Sequence, residues 1–169
     1  MILTPWLNHR TNKAQKTNLN IRKSIAYKEA LKIGIIFYND EQSKIAAVDK
    51  LSALLKMDSK QVKVLAYERR NDIKHLPYDS ITNDNFSFWG SYIGKPLTDF
   101  INAEFDFLIC LDEQPNTLVR SILASSKAKC RVGRYEESNQ PSFEMLLKNT
   151  KSEEKDWVDS IYQYIKMIS

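Results

Sequence analysis

An α/β fold, with an open and mostly parallel sheet of about five or six strands and helices on both faces, is predicted from three features of the sequence. Two apolar runs, residues 33–38 and 105–111, are continuous and rich in β-favouring types, the pattern of strands buried on both faces. Between the first run and an alternating stretch at 61–67, Ile45, Val48, Leu51, Leu54 and Leu55 recur at helical spacing. The links between these segments are short, so strand, helix and strand form a crossover unit. Such units build parallel sheets and are right-handed.

Taken in order, residues 1–18 are rich in Asn, Thr and Lys, with little apolar patterning, and read as an arm that is flexible until bound. A helix is expected over 19–31, where Ile21 and Ile25 lie four apart. The strand at 33–38 ends on Asn39 and Asp40, residue types that cap the helix that follows. That helix ends near Met57, and 61–67 is the next strand. Residues 68–85 are charged and polar and read as a long excursion. A short strand is expected at 86–90, and Pro96 opens a brief helix through Leu97, Phe100 and Ile101. The buried strand at 105–111 leads to a helix at 117–126, with Leu118, Ile122 and Leu123 inward. Residues 130–133 form another short strand and 135–142 a loop. Residues 143–147 fit either strand or helix. The last helix starts at Ser152, with Glu153 and Glu154 at the positive end of its dipole, and carries Trp157, Ile161, Ile165 and Ile168 as its apolar stripe. The chain thus divides into a basic N-terminal arm, 1–31, and a Rossmann-like α/β domain, 32–169.

Charge is distributed unevenly. The chain has 25 basic and 21 acidic residues. Residues 1–32 hold seven of the basic ones (Arg10, Lys13, Lys16, Arg22, Lys23, Lys28, Lys32) and one acid, Glu29. The excess of positive charge therefore belongs to the arm, and a basic arm on a near-neutral domain is a means of reaching a polyanion. Arg10, Lys13, Lys16, Arg22 and Lys23 are the expected contacts to RNA phosphates. Trp6 and His9 are suited to stack on exposed bases.

Several classes are disfavoured. No apolar run approaches the roughly 20 residues that span a bilayer, and the N-terminus lacks the basic-then-apolar order of a secretion signal. Cys110 and Cys130 sit in apolar stretches and read as small buried hydrophobes in a reducing cytoplasm. The four glycines, Gly34, Gly90, Gly94 and Gly133, cannot build a dinucleotide or Walker-type phosphate loop, so no such cofactor is expected. His9 and His75 are far apart, and no Cys-x-x-Cys or His-x-x-x-His spacing exists, so no metal is expected either.

In open parallel sheets, ligands sit beyond the carboxyl ends of the strands. That rule nominates Asn39, Asp40, Asp112 and Arg134, together with Glu113, as possible ligand-binding residues. Each also has a structural use, as a helix cap, a turn residue or an ion-pair partner. Phe86, Phe88, Trp89 and Tyr92 cluster around Gly90, either as a patch for a protein partner or as cover for a sheet edge.

Residues 105–134 read Phe-Asp-Phe-Leu-Ile-Cys-Leu-Asp, then a helix, then Ser-Lys-Ala-Lys-Cys-Arg-Val-Gly-Arg. This stretch resembles part of the N-terminal Rossmann-like domain of heptosyltransferase-type glycosyltransferases. The resemblance implies a related fold. It carries no catalysis, because those enzymes use two such domains and place a Gly-Asp turn where Asn39-Asp40 stands here. Nearly the whole chain is also similar to a small uncharacterised family of Bacteroidetes proteins with a basic N-terminal segment and the same strand motifs. That likeness implies a cytoplasmic bacterial protein and supplies no activity.

The resulting expectation is a non-enzymatic binding protein whose arm contacts RNA or a ribonucleoprotein such as the ribosome. Two other classes are carried beside it: a small glycosyltransferase-like or nucleotide-dependent enzyme using the strand ends, and a scaffold whose residues 86–92 bind another protein.

Overall fold

The computed structural model describes residues 4–40, 42–68, 76–148 and 154–169. Six strands form one sheet: β1 (Lys32–Tyr38), β2 (Gln61–Tyr67), β3 (Asp79–Ile81), β4 (Phe107–Cys110), β5 (Cys130–Arg134) and β6 (Met145–Leu147). Their order is β3-β2-β1-β4-β5-β6, and every neighbouring pair is parallel. The direction of strand progression reverses between β1 and β4, which makes their carboxyl ends the topological switch point of the sheet.

The helices are α1 (Thr4–Asn18), α2 (Gln42–Met57), α3 (Lys95–Asn102), α4 (Thr117–Ser125) and α5 (Glu154–Lys166). Alternation along β1 assigns the two faces. Ile33, Ile35 and Phe37 enter one core with Leu51 and Leu55 of α2 and Trp157 and Ile161 of α5. Ile36 enters the other with Leu65, Leu108, Leu97 and Phe100 of α3 and Ile122 of α4. Each of these fully buried large side chains contributes about 1.5–3 kcal/mol. Gly133 is required by packing: a Cβ there would lie 2.6 Å from the Phe143 ring.

After β2, expectation and structure differ in two places. β3 lies inside the stretch read as an excursion; it is three residues long, too short to carry a pattern. The strand expected at 86–90 is a tight turn closed by one antiparallel bridge, Phe86 to Tyr92. Of residues 143–147, open between strand and helix in the sequence, 145–147 form strand β6, and the loop at 135–142 contains a 3₁₀ turn over Glu137–Ser142. The expected start of the last helix at Ser152 lies outside the described residues.

The largest correction concerns the N-terminus. The helix is at Thr4–Asn18, the part read as a flexible arm. The stretch expected to be helical is a 3₁₀ turn, Leu19–Ile21, followed by irregular chain with a turn at 27–29. Pro5 suits the first turn of α1, where its missing N–H costs nothing. Leu7, Thr11, Ala14 and Asn18 then fall on one face, and that face packs on α4. Leu7 and Asn18 are buried.

The chain after α1 fastens this layer by closing the end of α4. Asn18 Nδ2 donates to the carbonyl of Ala124 at 3.0 Å. The Arg22 guanidinium donates to the carbonyls of Ala124 at 3.2 Å and of Ala128. These carbonyls belong to the last turn of α4 and the loop after it, and the helix end favours a cation. Burial, with Arg131 nearby, pushes the Arg22 pKa down to about 10, against the pull of Glu144. The group is still charged at neutral pH.

Candidate nucleic-acid interface

Two polar regions hold the residues that the sequence nominates. The first is the carboxyl rim of the sheet. β1 and β2 are in register at Tyr38 and Tyr67, so the next residues, Asn39 and Glu68, fall side by side. Asn39 Nδ2 donates to Glu68 Oε1 at 2.7 Å, and both residues are buried. On the other side of β1, Asp112 Oδ1 accepts from the Tyr38 backbone N–H at 2.9 Å and lies 3.4 Å from Lys44 Nζ. Lys44 also bonds Asp40 at 2.8 Å.

Burial pushes the Asp112 carboxyl above the usual carboxylate range, outweighing the Tyr38 N–H and Lys44. Burial alone would lower the Lys44 ammonium, but its bonds and charges with Asp40 and Asp112 hold it above its ordinary value. Arg134 is turned to other partners. Its guanidinium lies 4.9 Å from the centre of the Trp157 ring and 3.5 Å from a Glu113 oxygen. The rim therefore joins Asn39 to Glu68, and Asp40 to Asp112 through Lys44, while Arg134 is engaged with Trp157 and Glu113.

Sequence reasoning missed Lys44 and Glu68. The signals were available: Lys44 stands four residues after Asp40, and Glu68 follows β2 as Asn39 follows β1.

The second region is the outer side of α1. Leu7 anchors the helix against the turn at 87–91. There Gly90 adopts φ +75°, and a Cβ on it would lie 3.2 Å from Leu7 Cδ1. Glycine is needed on both counts, the left-handed backbone and the close approach. The turn is held by Ser87, which accepts from the N–H groups of Gly90 and Ser91. It is fastened to α4 by Tyr92, whose hydroxyl lies 2.9 Å from Ser121 Oγ and 2.6 Å from Ser125 Oγ. Arg10 completes the clamp. Its guanidinium donates to Ser91 Oγ at 2.9 Å and lies 5.5 Å from the centre of the Tyr92 ring.

This clamp places Trp89 beside Trp6. Their ring centres are 5.4 Å apart with planes at 86°. Phe88 meets Trp89 in the same manner at 5.1 Å. Phe88, Trp89 and Trp6 are 51%, 56% and 50% exposed, so the three rings form one open aromatic surface. The two tryptophans border a groove of about 720 Å³ whose lining includes His9, Arg10, Lys13 and Lys127 and contains no acidic residue.

The structure thus separates the five basic residues assigned to phosphate. Arg10 is half-buried in the clamp, and Arg22 is spent on the end of α4. Lys13, Lys16 and Lys23 are exposed. It also unites signals that the sequence kept apart: Trp6 and His9 of the arm meet Trp89 of the aromatic cluster and Lys127. Lys127 lay in a Ser-Lys-Ala-Lys stretch that gave no sign of facing α1.

Among the described residues, no cluster of His, Cys, Asp or Glu could hold a metal ion, and no helix is long and apolar enough to cross a membrane. Cys110 and Cys130 are free and buried. Burial pushes the Cys130 thiol up to about 12, so it is inert as a nucleophile. No curated protein matches the chain. A model of a family of unknown function, DUF6913, matches residues 4–168, from the start of α1 past the end of α5, and the chain belongs to this family.

Proposed function

We propose that this is a non-enzymatic binding protein that contacts RNA or a ribonucleoprotein, the ribosome among them, through the outer face of α1. One observation carries the reading: a groove lined by cations and two exposed tryptophans, with no acid among its walls. Cations without carboxylate partners suit phosphates, and binding of that kind releases counterions and weakens with salt. Lys13, Lys16, Lys23 and Lys127 make the phosphate contacts, while Arg10 and Arg22 hold the surface that presents them. The proposed setting is a bacterial cytoplasm, in keeping with two free thiols and no disulfide between them.

The test is co-sedimentation of the full chain with ribosomes and with total RNA. A Lys13→Glu, Lys16→Glu variant serves as the comparison, because deleting the arm would also remove Leu7, Asn18 and Arg22 from the fold. The wild type should sediment with RNA at about 50 mM salt and be released by about 200 mM. The variant should remain in the supernatant. Association that ignores salt, or that the variant retains, sinks the reading.

A second reading is a small nucleotide-dependent or glycosyltransferase-like enzyme using the rim. It is favoured by Asn39 Oδ1 and Asp112 Oδ2, which are buried at the switch point without a hydrogen-bond partner among the described residues. Nucleotides and sugar nucleotides should then raise the melting temperature of the wild type and leave that of Asp112→Asn unchanged. A wild-type melting temperature that none of them moves removes this reading.

A further inference from the structure

The groove beside α1 has features that phosphate binding alone does not use. The Trp6 and Trp89 planes stand at 86°, so the indoles do not stack on each other and form two walls of a corner. About half of each ring is open to water. No acid lines the groove, so an acidic or neutral planar guest meets no repulsion there. Along α1, Trp6, His9, Arg10 and Lys13 follow at the spacing of one helix face. Trp6 and Lys13 are separated by about 10 Å along the helix axis. That distance is on the scale of a base and a neighbouring phosphate. Lys127 supplies a cation from the segment after α4.

We infer that the groove takes an unpaired nucleobase, stacked on the indole of Trp89 or Trp6, with the flanking phosphates on Lys13 and Lys127. The site thereby selects single-stranded RNA over duplex. This rests on the reading of α1 as a phosphate-binding face. A base offers both properties that the groove demands, a flat π-face for the tryptophans and an adjoining negative charge for the lysines. A duplex hides its base faces in the stack and can meet only the lysines. The volume of about 720 Å³ falls in the range of pockets that enclose a compact ligand.

The third tryptophan makes the test clean. Trp157 is fully buried in the opposite core, so a ligand that changes tryptophan emission in a folded protein reports the corner. The full chain is titrated with a single strand of about 12 nucleotides, and with a duplex of the same sequence. Fluorescence anisotropy of the labelled RNA is read together with intrinsic tryptophan emission. The single strand should bind more tightly and quench the emission. Trp89→Ala should weaken its binding by roughly 5- to 150-fold and remove most of the quenching. Trp89→Phe, which keeps an aromatic face, should recover part of both. Far-ultraviolet dichroism checks that each variant is folded.

If duplex and single strand bind equally, the emission is unchanged and Trp89→Ala is neutral while Lys13→Glu, Lys16→Glu still abolishes binding, the stacked base is overturned and the phosphate face survives. If neither RNA binds the wild type at low salt, both fall. Binding of a protein partner without RNA affinity has the same consequence.

Discussion

At the carboxyl rim of the sheet, polar side chains are turned on one another: Asn39 on Glu68, Asp112 on the Tyr38 backbone, Lys44 on Asp40 and Asp112. On the outer face of α1, Lys13 and Lys16 are exposed and make no ion pair among the described residues. Tryptophans stand half open beside them. Both regions are rich in charge, and the difference lies in whether the fold has already consumed it. A buried charge with partners is held by the structure, and removing one partner costs stability. An exposed charge without partners contributes little to stability and remains available to a ligand.

The contrast can be broken by substitution at either place. The largest effect is expected at the rim. Asp112→Ala leaves the Tyr38 N–H without its acceptor and should lower unfolding free energy by about 2–3 kcal/mol in urea denaturation. Asp112→Asn keeps an acceptor and sheds a buried charge, so it should cost less than Asp112→Ala; an equal loss would mean that the charge itself is needed. Next is Arg22→Ala, expected to cost about 2 kcal/mol, because the Ala128 carbonyl loses its side-chain donor and the Ala124 carbonyl keeps only Asn18. A loss below about 0.5 kcal/mol, the size expected of an ordinary surface change, would return Arg22 to the ligand-binding set.

The pH dependence sharpens the same point at Asp106. Burial raises its pKa, but Lys129 and the N–H groups of Lys32 and Leu31 more than offset this, and the folded value is below the usual one. Its stabilisation is fully present above the unfolded carboxylate pKa of about 4. It is lost as pH falls through the lower folded value. Asp106→Asn should therefore be less stable than wild type at neutral pH, with the gap closing as the medium is acidified. A constant gap would show that the carboxylate charge is not the source. Gly90→Ala should cost about 1 kcal/mol, through its positive φ, and loosen α1 from the turn. Unchanged proteolytic protection of α1 would count against that. The smallest effect on stability is expected for Lys13→Ala, within about 0.5 kcal/mol. The same variant should reduce the slope of log affinity against log salt by about 0.7 in titrations with single-stranded RNA.

The central sheet was legible because its strands obey strong rules. Residues 33–38 and 105–111 are apolar enough for no other place than a two-sided core, and 61–67 matches β2. β3 was hidden by its length. The turn at 86–92 was hidden because four aromatic residues in a short span imitate a strand, whereas Gly90 makes them a corner. α1 was illegible for a physical reason. Its docking stripe, Leu7, Thr11, Ala14 and Asn18, has the right spacing but is half polar, so hydrophobic periodicity is silent. Part of its hold on the body is the Asn18 and Arg22 hydrogen bonds to backbone carbonyls, which no residue pattern announces. The rim was half legible: the strand-end rule found Asn39, Asp40 and Asp112 and applies equally to Glu68 after β2, but its pairing with Asn39 is fixed only by the register of β1 with β2.

The clasp on α4 also sets an order of events in synthesis. Asn18 bonds the carbonyl of a residue 106 positions later, and Arg22 likewise reaches one 106 positions later. A ribosome adds roughly 5–20 residues per second, so α1 waits on the order of 5–20 s for its seat to exist. The outermost layer of the fold is the first of its helices to be made and, once α4 has packed, among the last to be seated.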